Sequence, residues 1–312
     1  MIVSAGLSPA WQHTLEFDGL ELGQVNRARA VTWCASGKVI NAARTIHRLA
    51  AHAGRGSRGR ALTVLGGPTG ERMRDALAGE GLDVVAIPTA IPTRVCTTVI
   101  DRAAGSVTEL VENAGSLSEA DLEAFRARFR AEAREAAMVL LTGSLPAGTP
   151  PDYYRRLLEG LDTPALLDAR GPELMAALPL KPFLVKPNRE ELARTIGHPL
   201  AEEGELCAAM RQLASLGARW VLVSQGQGPL WVLGGGVLHR VLPPAVTALN
   251  PIGSGDCLAG GIAWGLARGA DPLEAIRIGV AAAAENARTS LPGHIDPESV
   301  ERLRAAVRVE AA

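Results

Sequence analysis

Short apolar runs and segments with a 3.6-residue apolar period take turns along most of the 312-residue chain. The runs predict strands at Met1–Ala5, Ala61–Leu65, Met138–Leu141, Ala165–Asp168, Phe183–Lys186 and Trp220–Ser224, with a further strand-like stretch at Ala245–Leu249. The periodic segments predict helices at Lys38–Ala50, Ser118–Ala136, Asp152–Leu161 and Glu205–Leu216, and Ser254–Ala311 reads as helical. Strands that are apolar throughout are buried on both faces. The alternation therefore predicts an α/β fold, a mostly parallel sheet with helices on either side.

Two stretches depart from this rhythm. His13–Thr32 and Ile87–Glu112 alternate apolar and polar residues, as in HTLEF and TRVCTTVID, the pattern of half-exposed strands. Either they pair as a small sheet projecting from the main layer like a lid, or they are two separate surface hairpins. The segment AHAGRGSRGR at 51–60 reads as a surface loop and not a domain linker, and no internal repeat is visible. The expectation is one domain over residues 1–312, with a lid formed by about 12–32 and 87–112.

Composition sets limits more than direction. Apolar residues make up 47 % of the chain, enough for a substantial core, and a net charge of −1 gives no support to a nucleic-acid partner. No apolar run nears the ~20 residues of a membrane-spanning helix. MIVSAGLSP lacks a basic, apolar leader before its turn at Pro9. Cys34, Cys96, Cys207 and Cys257 are scattered without CxxC spacing, as expected of reduced thiols in a cytoplasmic protein.

Chemistry concentrates in a few segments. In NPIGSGDCLAGG (250–261), Gly253, Ser254 and Gly255 precede an apolar helical run. That places bare backbone N–H groups at a helix N-terminus, an arrangement that holds phosphate. Asp256 is then either a helix cap or a base. The helix end should keep it ionised at neutral pH, ready to accept the proton of an attacking hydroxyl during phosphoryl transfer. In ASGKVINAAR, Gly37, Lys38 and Asn41 open a helix and suit recognition of hydroxyls or phosphate, although a lysine at a helix start is also at home in solvent.

KPNREEL ends a strand and opens a helix. Lys186, Asn188 and Glu191 could meet nucleotide phosphates and a hydrated magnesium ion, or Asn188 and Glu191 could form a capping box. Ser224 and the glycine turn of VLVSQGQGPL read, taken alone, as an ordinary strand–turn–strand. Two common nucleotide fingerprints are absent. No lysine stands in GxxxxGK[ST] spacing, and GxGxxG begun at Gly253 fails at Leu258, which argues against a nicotinamide oxidoreductase.

In order, LSPA, LELGQVNRA, SGKVINAAR, TRVCTTVID, LTGSLPAGTPPDYY, LLDARG, VKPNREEL, VSQGQGPL, NPIGSGDCLAGG and the late GHID resemble the ribokinase-like, PfkB-type carbohydrate kinases nearly end to end. The similarity is greatest to the branch of 1-phosphofructokinase and tagatose-6-phosphate kinase. It implies a three-layer α/β/α sandwich with a small β lid, and ATP-dependent phosphorylation of a sugar or sugar-phosphate hydroxyl with magnesium, leaving room for a monovalent cation. Asp256 matches the family's base, and Gly253, Ser254 and Gly255 its anion hole, with Ser254 where alanine is usual. Gln12, Gly37, Lys38, Asn41 and Arg94 match the acceptor side, Arg94 as a ligand of the substrate's phosphate. Lys186, Asn188, Ser224, Gly226 and Asn286 fall on the ATP side, and Glu191 on the magnesium segment.

Departures gather on the acceptor side. Gln12 stands where the family has an aspartate, Ser36-Gly37-Lys38-Val39 replaces Gly-Gly-Lys-Gly, and Cys96 and Thr98 replace an asparagine and a lysine. The resemblance thus implies a ketohexose phosphate kinase. A kinase of a free sugar or nucleoside, or a non-catalytic sugar- or nucleotide-binding descendant, stands as the alternative. Exposed edges of a small sheet ask to be covered, so a homodimer through the lid is expected.

Overall fold

The computed structural model describes residues 1–54 and 58–312. Its elements run β1 (Ile2–Ala5), β2 (Ala10–Phe17), β3 (Ala30–Ser36), α1 (Lys38–His52), β4 (Gly59–Gly66), α2 (Gly67–Gly79), β5 (Asp83–Thr89), β6 (Arg94–Asp101), β7 (Ser106–Val111) and α3 (Glu119–Arg134). They continue with β8 (Met138–Thr142), α4 (Tyr153–Leu158), β9 (Ala165–Asp168), α5 (Gly171–Ala177), β10 (Leu184–Val185), α6 (Arg189–Ile196), α7 (Glu203–Ser215) and β11 (Trp220–Val223). The chain closes with β12 (Leu230–Gly234), β13 (Val237–Leu242), α8 (Ser254–Ala267), α9 (Pro272–Ala287), α10 (Pro297–Ala306) and β14 (Arg308–Ala311).

Side-chain alternation along the strands builds the layers. Val3, Val139, Leu141, Leu167, Val185 and Val221 point to one face, where α3 to α7 cover them. Leu140, Leu166, Leu184 and Leu222 point to the other, under α8 and α9. The ten strands lie in the order β14-β13-β12-β11-β10-β9-β8-β1-β4-β5. From β5 to β11 all pairings are parallel, and β12, β13 and β14 add antiparallel at one edge. A second sheet, β3-β2-β6-β7, stands apart from this layer.

Several boundaries differ from the sequence expectation. The second sheet uses Ala10–Phe17, Ala30–Ser36, Arg94–Asp101 and Ser106–Val111, whereas Ile87–Thr89 belong to edge strand β5 of the main sheet. An edge strand is half-exposed and so carries the same alternation as a lid strand. Ala245–Leu249 is not a strand. Pro243 and Pro244 offer no N–H to a ladder, and the segment is tied instead through Leu249 and Asn250 N–H to the carbonyl of Ala287. The end of the 254–311 stretch is a strand, β14, which gains its hydrogen bonds by pairing with β13. Of the 51–60 segment, residues 55–57 lie outside the described part, α1 extends to His52 and β4 starts at Gly59.

Two features of this frame position a site. Strand order reverses at β1, which sends the chain to β4 on one side and meets β8 on the other. Crevices beyond the C-terminal strand ends at such a point take ligands in open α/β sheets. Helices α1 and α8 also pack closely enough that a Cβ on Gly260 would fall 2.7 Å from the Ala42 carbonyl oxygen. That approach brings Asn41 against the start of α8.

Candidate active site

A cleft of about 790 Å³ lies between the C-terminal ends of the central strands and the inner face of the small sheet. Gln12, Gly37, Lys38, Asn41, Arg94, Glu191, Gly253 and Asp256 all line it, joined by Asp168, Arg170 and Glu109.

Its floor is the start of α8. Gly253 is the N-cap, with φ 84°, and a Cβ there would meet Pro292 at 2.7 Å, so glycine is required on both counts. Asp256 is therefore not the cap but the third helical residue. Asn41 Nδ2 donates to its Oδ2 at 2.8 Å, while Oδ1 has no protein partner among the described residues. Burial pushes the Asp256 carboxyl up to about 6, with Lys38 pulling the other way and Asp168 adding to the rise. The sequence expectation had the helix end keeping this group ionised. Desolvation outweighs that field.

Ser254 differs from its neighbours in the expected anion hole. Its N–H already donates to Pro251 O at 3.1 Å, and its hydroxyl accepts from Asn286 Nδ2 at 3.0 Å. The amides of Gly253 and Gly255 have no partner among the described residues.

Behind this turn lies a charge cluster that sequence reasoning passed over. Asp168, at the end of β9, receives Lys186 Nζ at 3.0 Å on one oxygen, and Lys38 Nζ at 3.2 Å with Thr142 Oγ1 at 2.9 Å on the other. Burial opposes both kinds of charge here. The two ammonium groups nevertheless hold Asp168 well below the usual carboxylate range, and Asp168, Asp256 and Glu191 hold Lys38 above the usual lysine value. Lys38 sits deep in the cleft with 39 % of its side chain open to it, whereas Lys186 is almost fully covered. The one signal in the sequence was an acidic residue directly after the apolar run ALL, at a strand's C-terminal end.

Arg94 begins β6 at the cleft wall. Its guanidinium donates to the carbonyls of Pro9 (3.4 Å), Glu112 (2.9 Å) and Ser8 (3.1 Å). A guanidinium has five N–H groups, so donors remain for an anion in the cleft. Gln12 donates from Nε2 to Thr98 Oγ1 at 2.8 Å. Gln12, Cys96 and Cys34 form one cross-strand row on the cleft side of the small sheet, all buried.

The remaining predicted residues lie outside the cleft lining. Asn188 caps α6, accepting from Glu191 N–H at 2.7 Å, and Glu191 Oε2 accepts from Asn188 N–H at 3.0 Å, the capping box. Ser224 follows β11 and bridges to Asn188, with Gly226 two residues on in a left-handed turn. Asn286, expected on the ATP side, is buried on α9. Its amide is fully used, donating to Ile252 O and Ser254 Oγ and accepting from Gly293 N–H and Cys257 Sγ, which ties the glycine turn to the 293 segment. All four cysteines are free and buried. No helix among the described residues is long and apolar enough to cross a membrane.

Known proteins share this fold. The chain resembles phosphofructokinase-2 from Escherichia coli in its complex with fructose-6-phosphate (TM-score 0.85, 25 % identity, 98 % of this chain and 99 % of that one). The potassium complex of the same enzyme superposes with a TM-score of 0.87 at 25 % identity, again over 98 % and 99 %. A protein described as a possible 1-phosphofructokinase from Thermotoga maritima shares the fold over 100 % of both chains, with a TM-score of 0.88 at 18 % identity. The pfkB family of carbohydrate kinases matches from residue 8 to residue 298, and the chain belongs to that family.

Proposed function

We propose that the protein transfers the γ-phosphoryl group of ATP to a hydroxyl of a ketohexose phosphate. The observation that carries this reading is Asp256, with one oxygen held by Asn41 and the other open to a cleft that also holds Lys38 and Arg94. In the proposed reaction, Asp256 Oδ1 takes the acceptor's hydroxyl proton as the acceptor oxygen bonds to the γ-phosphorus. The bond from that phosphorus to the bridging oxygen breaks, and its electron pair leaves with ADP. Unpartnered Gly253 and Gly255 amides and the α8 N-terminus oppose the charge on the moving group, and Lys38 adds a cation from the cleft wall.

Lys186, Asn188, Ser224 and Gly226 form the strand ends assigned to ATP. Among the described residues no group of three or more His, Cys, Asp or Glu could by itself hold a metal. Magnesium, which keeps waters and binds through phosphates with one or two carboxylates, fits Glu191 at the cleft edge and would offset phosphate charge there. The potassium complex of the Escherichia coli relative supports a monovalent cation as a further ligand. Free buried thiols suit a cytoplasmic setting.

Arg94, with donors to spare beside the cleft, supports a phosphorylated acceptor, and the fructose-6-phosphate complex of the relative points the same way. Gln12, Cys96 and Thr98 place neutral side chains on the inner lid face, which favours a free sugar or nucleoside as the competing reading. ATP turnover against fructose 1-phosphate, fructose 6-phosphate, tagatose 6-phosphate, free hexoses and nucleosides separates the two. Arg94→Ala is expected to raise KM about 10- to 100-fold for the phosphorylated acceptor, the worth of a charge-assisted contact. An unchanged KM for every sugar phosphate overturns the assignment.

A further inference from the structure

Arg44 sits one helical turn from Asn41 on α1 and is 1 % exposed. A guanidinium so enclosed needs acceptors. Nε and Nη2 hold the two carboxylate oxygens of Glu80 at 2.6 and 2.9 Å, and Nη2 also donates to Ala35 O at 2.7 Å. Nη1 donates to Pro292 O at 3.2 Å and to Asn41 Oδ1 at 3.4 Å. Glu80 follows α2 and is partly open to solvent. A continuous polar path therefore runs from the surface through Arg44 and Asn41 to Asp256.

The amide of Asn41 is the point of decision on this path. Turned one way it gives Asp256 a donor, and turned the other way it sets a carbonyl oxygen against a carboxylate. Ser36 Oγ, 3.0 Å from Oδ1, does not choose, because a hydroxyl both donates and accepts. Arg44 does choose, because a guanidinium only donates. The amide oxygen has to face Arg44, and the NH2 group then has to face Asp256.

We propose that the Glu80–Arg44 pair is a positioning device for the base: it fixes Asn41 with its NH2 on Asp256 Oδ2 and so leaves Oδ1 for the acceptor hydroxyl. This rests on the role given to Asp256 above. The other charged groups facing Asp256 are Lys38 from α1, Asp168 from the end of β9 and Lys186 from the end of β10. Cys257, next to it on α8, stays a thiol, its pKa pushed up to about 12 by burial. Around Glu80 stand Arg48 and His294. Burial and Arg44 push the His294 imidazole down to about 4, so it is neutral over the range in which the base titrates.

The test is the pH profile of kcat, at saturating ATP and acceptor, for wild type, Arg44→Met and Glu80→Gln. Losing an oriented donor disfavours the ionised carboxylate, so the acid limb moves to higher pH. The expected shift in Arg44→Met is about one pH unit, with kcat about tenfold below wild type on the acid side and close to wild type near pH 8.5. Glu80→Gln keeps Arg44 in place with a neutral acceptor, moves the limb the same way by less, and carries the test if Arg44→Met does not fold. Limbs left in place, or a kcat lowered by one factor at every pH, overturn the positioning role. A wild-type profile with no acid limb, or full activity in Asp256→Asn, instead overturns the reading of Asp256 itself.

Discussion

Asp168 ties two lysines that are 148 residues apart in sequence numbering, Lys38 and Lys186, into one cluster. With Asp168 and Lys186 both almost fully covered, removing the carboxylate leaves a buried ammonium without its counter-charge. Asp168→Asn is expected to destabilise the protein by about 3 kcal/mol, in the range for breaking a buried pair. Urea denaturation at pH 7 measures this, and a change below about 0.5 kcal/mol, as at an ordinary surface site, contradicts it. At this scale the sequence was a partial guide. Asp256, Lys38 and Asn41 announced themselves through glycine neighbours and helix starts, and they meet in one cleft. The state of Asp256 was not legible, because its pKa follows from burial beside α1 and the ends of β9 and β10. Nor was the task of Asn286, since an amide on a helix says nothing of the loop it will hold.

The strand and helix alternation was plain wherever strands are buried on both faces, as in MVLL and ALLD. It failed where different environments leave the same pattern, as when edge strand β5 looked like part of the lid. It failed again where pairing and not composition decides, as in β14. The outer face of the lid carries a prediction. His13, Trp33, Thr97 and Leu110 make one cross-strand row, with the His13 and Trp33 rings stacked 3.9 Å apart. Val31, Trp33 and Leu110 on this face are exposed, as are Leu22 and Val25 between β2 and β3. Such a face is usually covered. The expected result is a homodimer through the lid by sedimentation at tens of micromolar, reduced to monomer in Trp33→Asp. A wild-type monomer at that concentration contradicts it.

For the molecule as a whole, the cleft lies where strand order reverses, with the small sheet over it and the α8 N-terminus beneath it. Residues from Ser8 to Asp256 contribute to its walls, a span that only the fold can bring together. Catalysis of this kind is mostly positioning and charge neutralisation, and the central claim is that one carboxylate, Asp256, removes the acceptor's proton. The direct measurement is product formation from ATP and the best acceptor, followed by phosphorus NMR, in wild type and in Asp256→Asn. The predicted outcome is phosphorylated product and ADP from wild type, and a rate lower by about 10²- to 10⁴-fold in the variant with its fold intact. Equal rates in the two proteins would contradict the account.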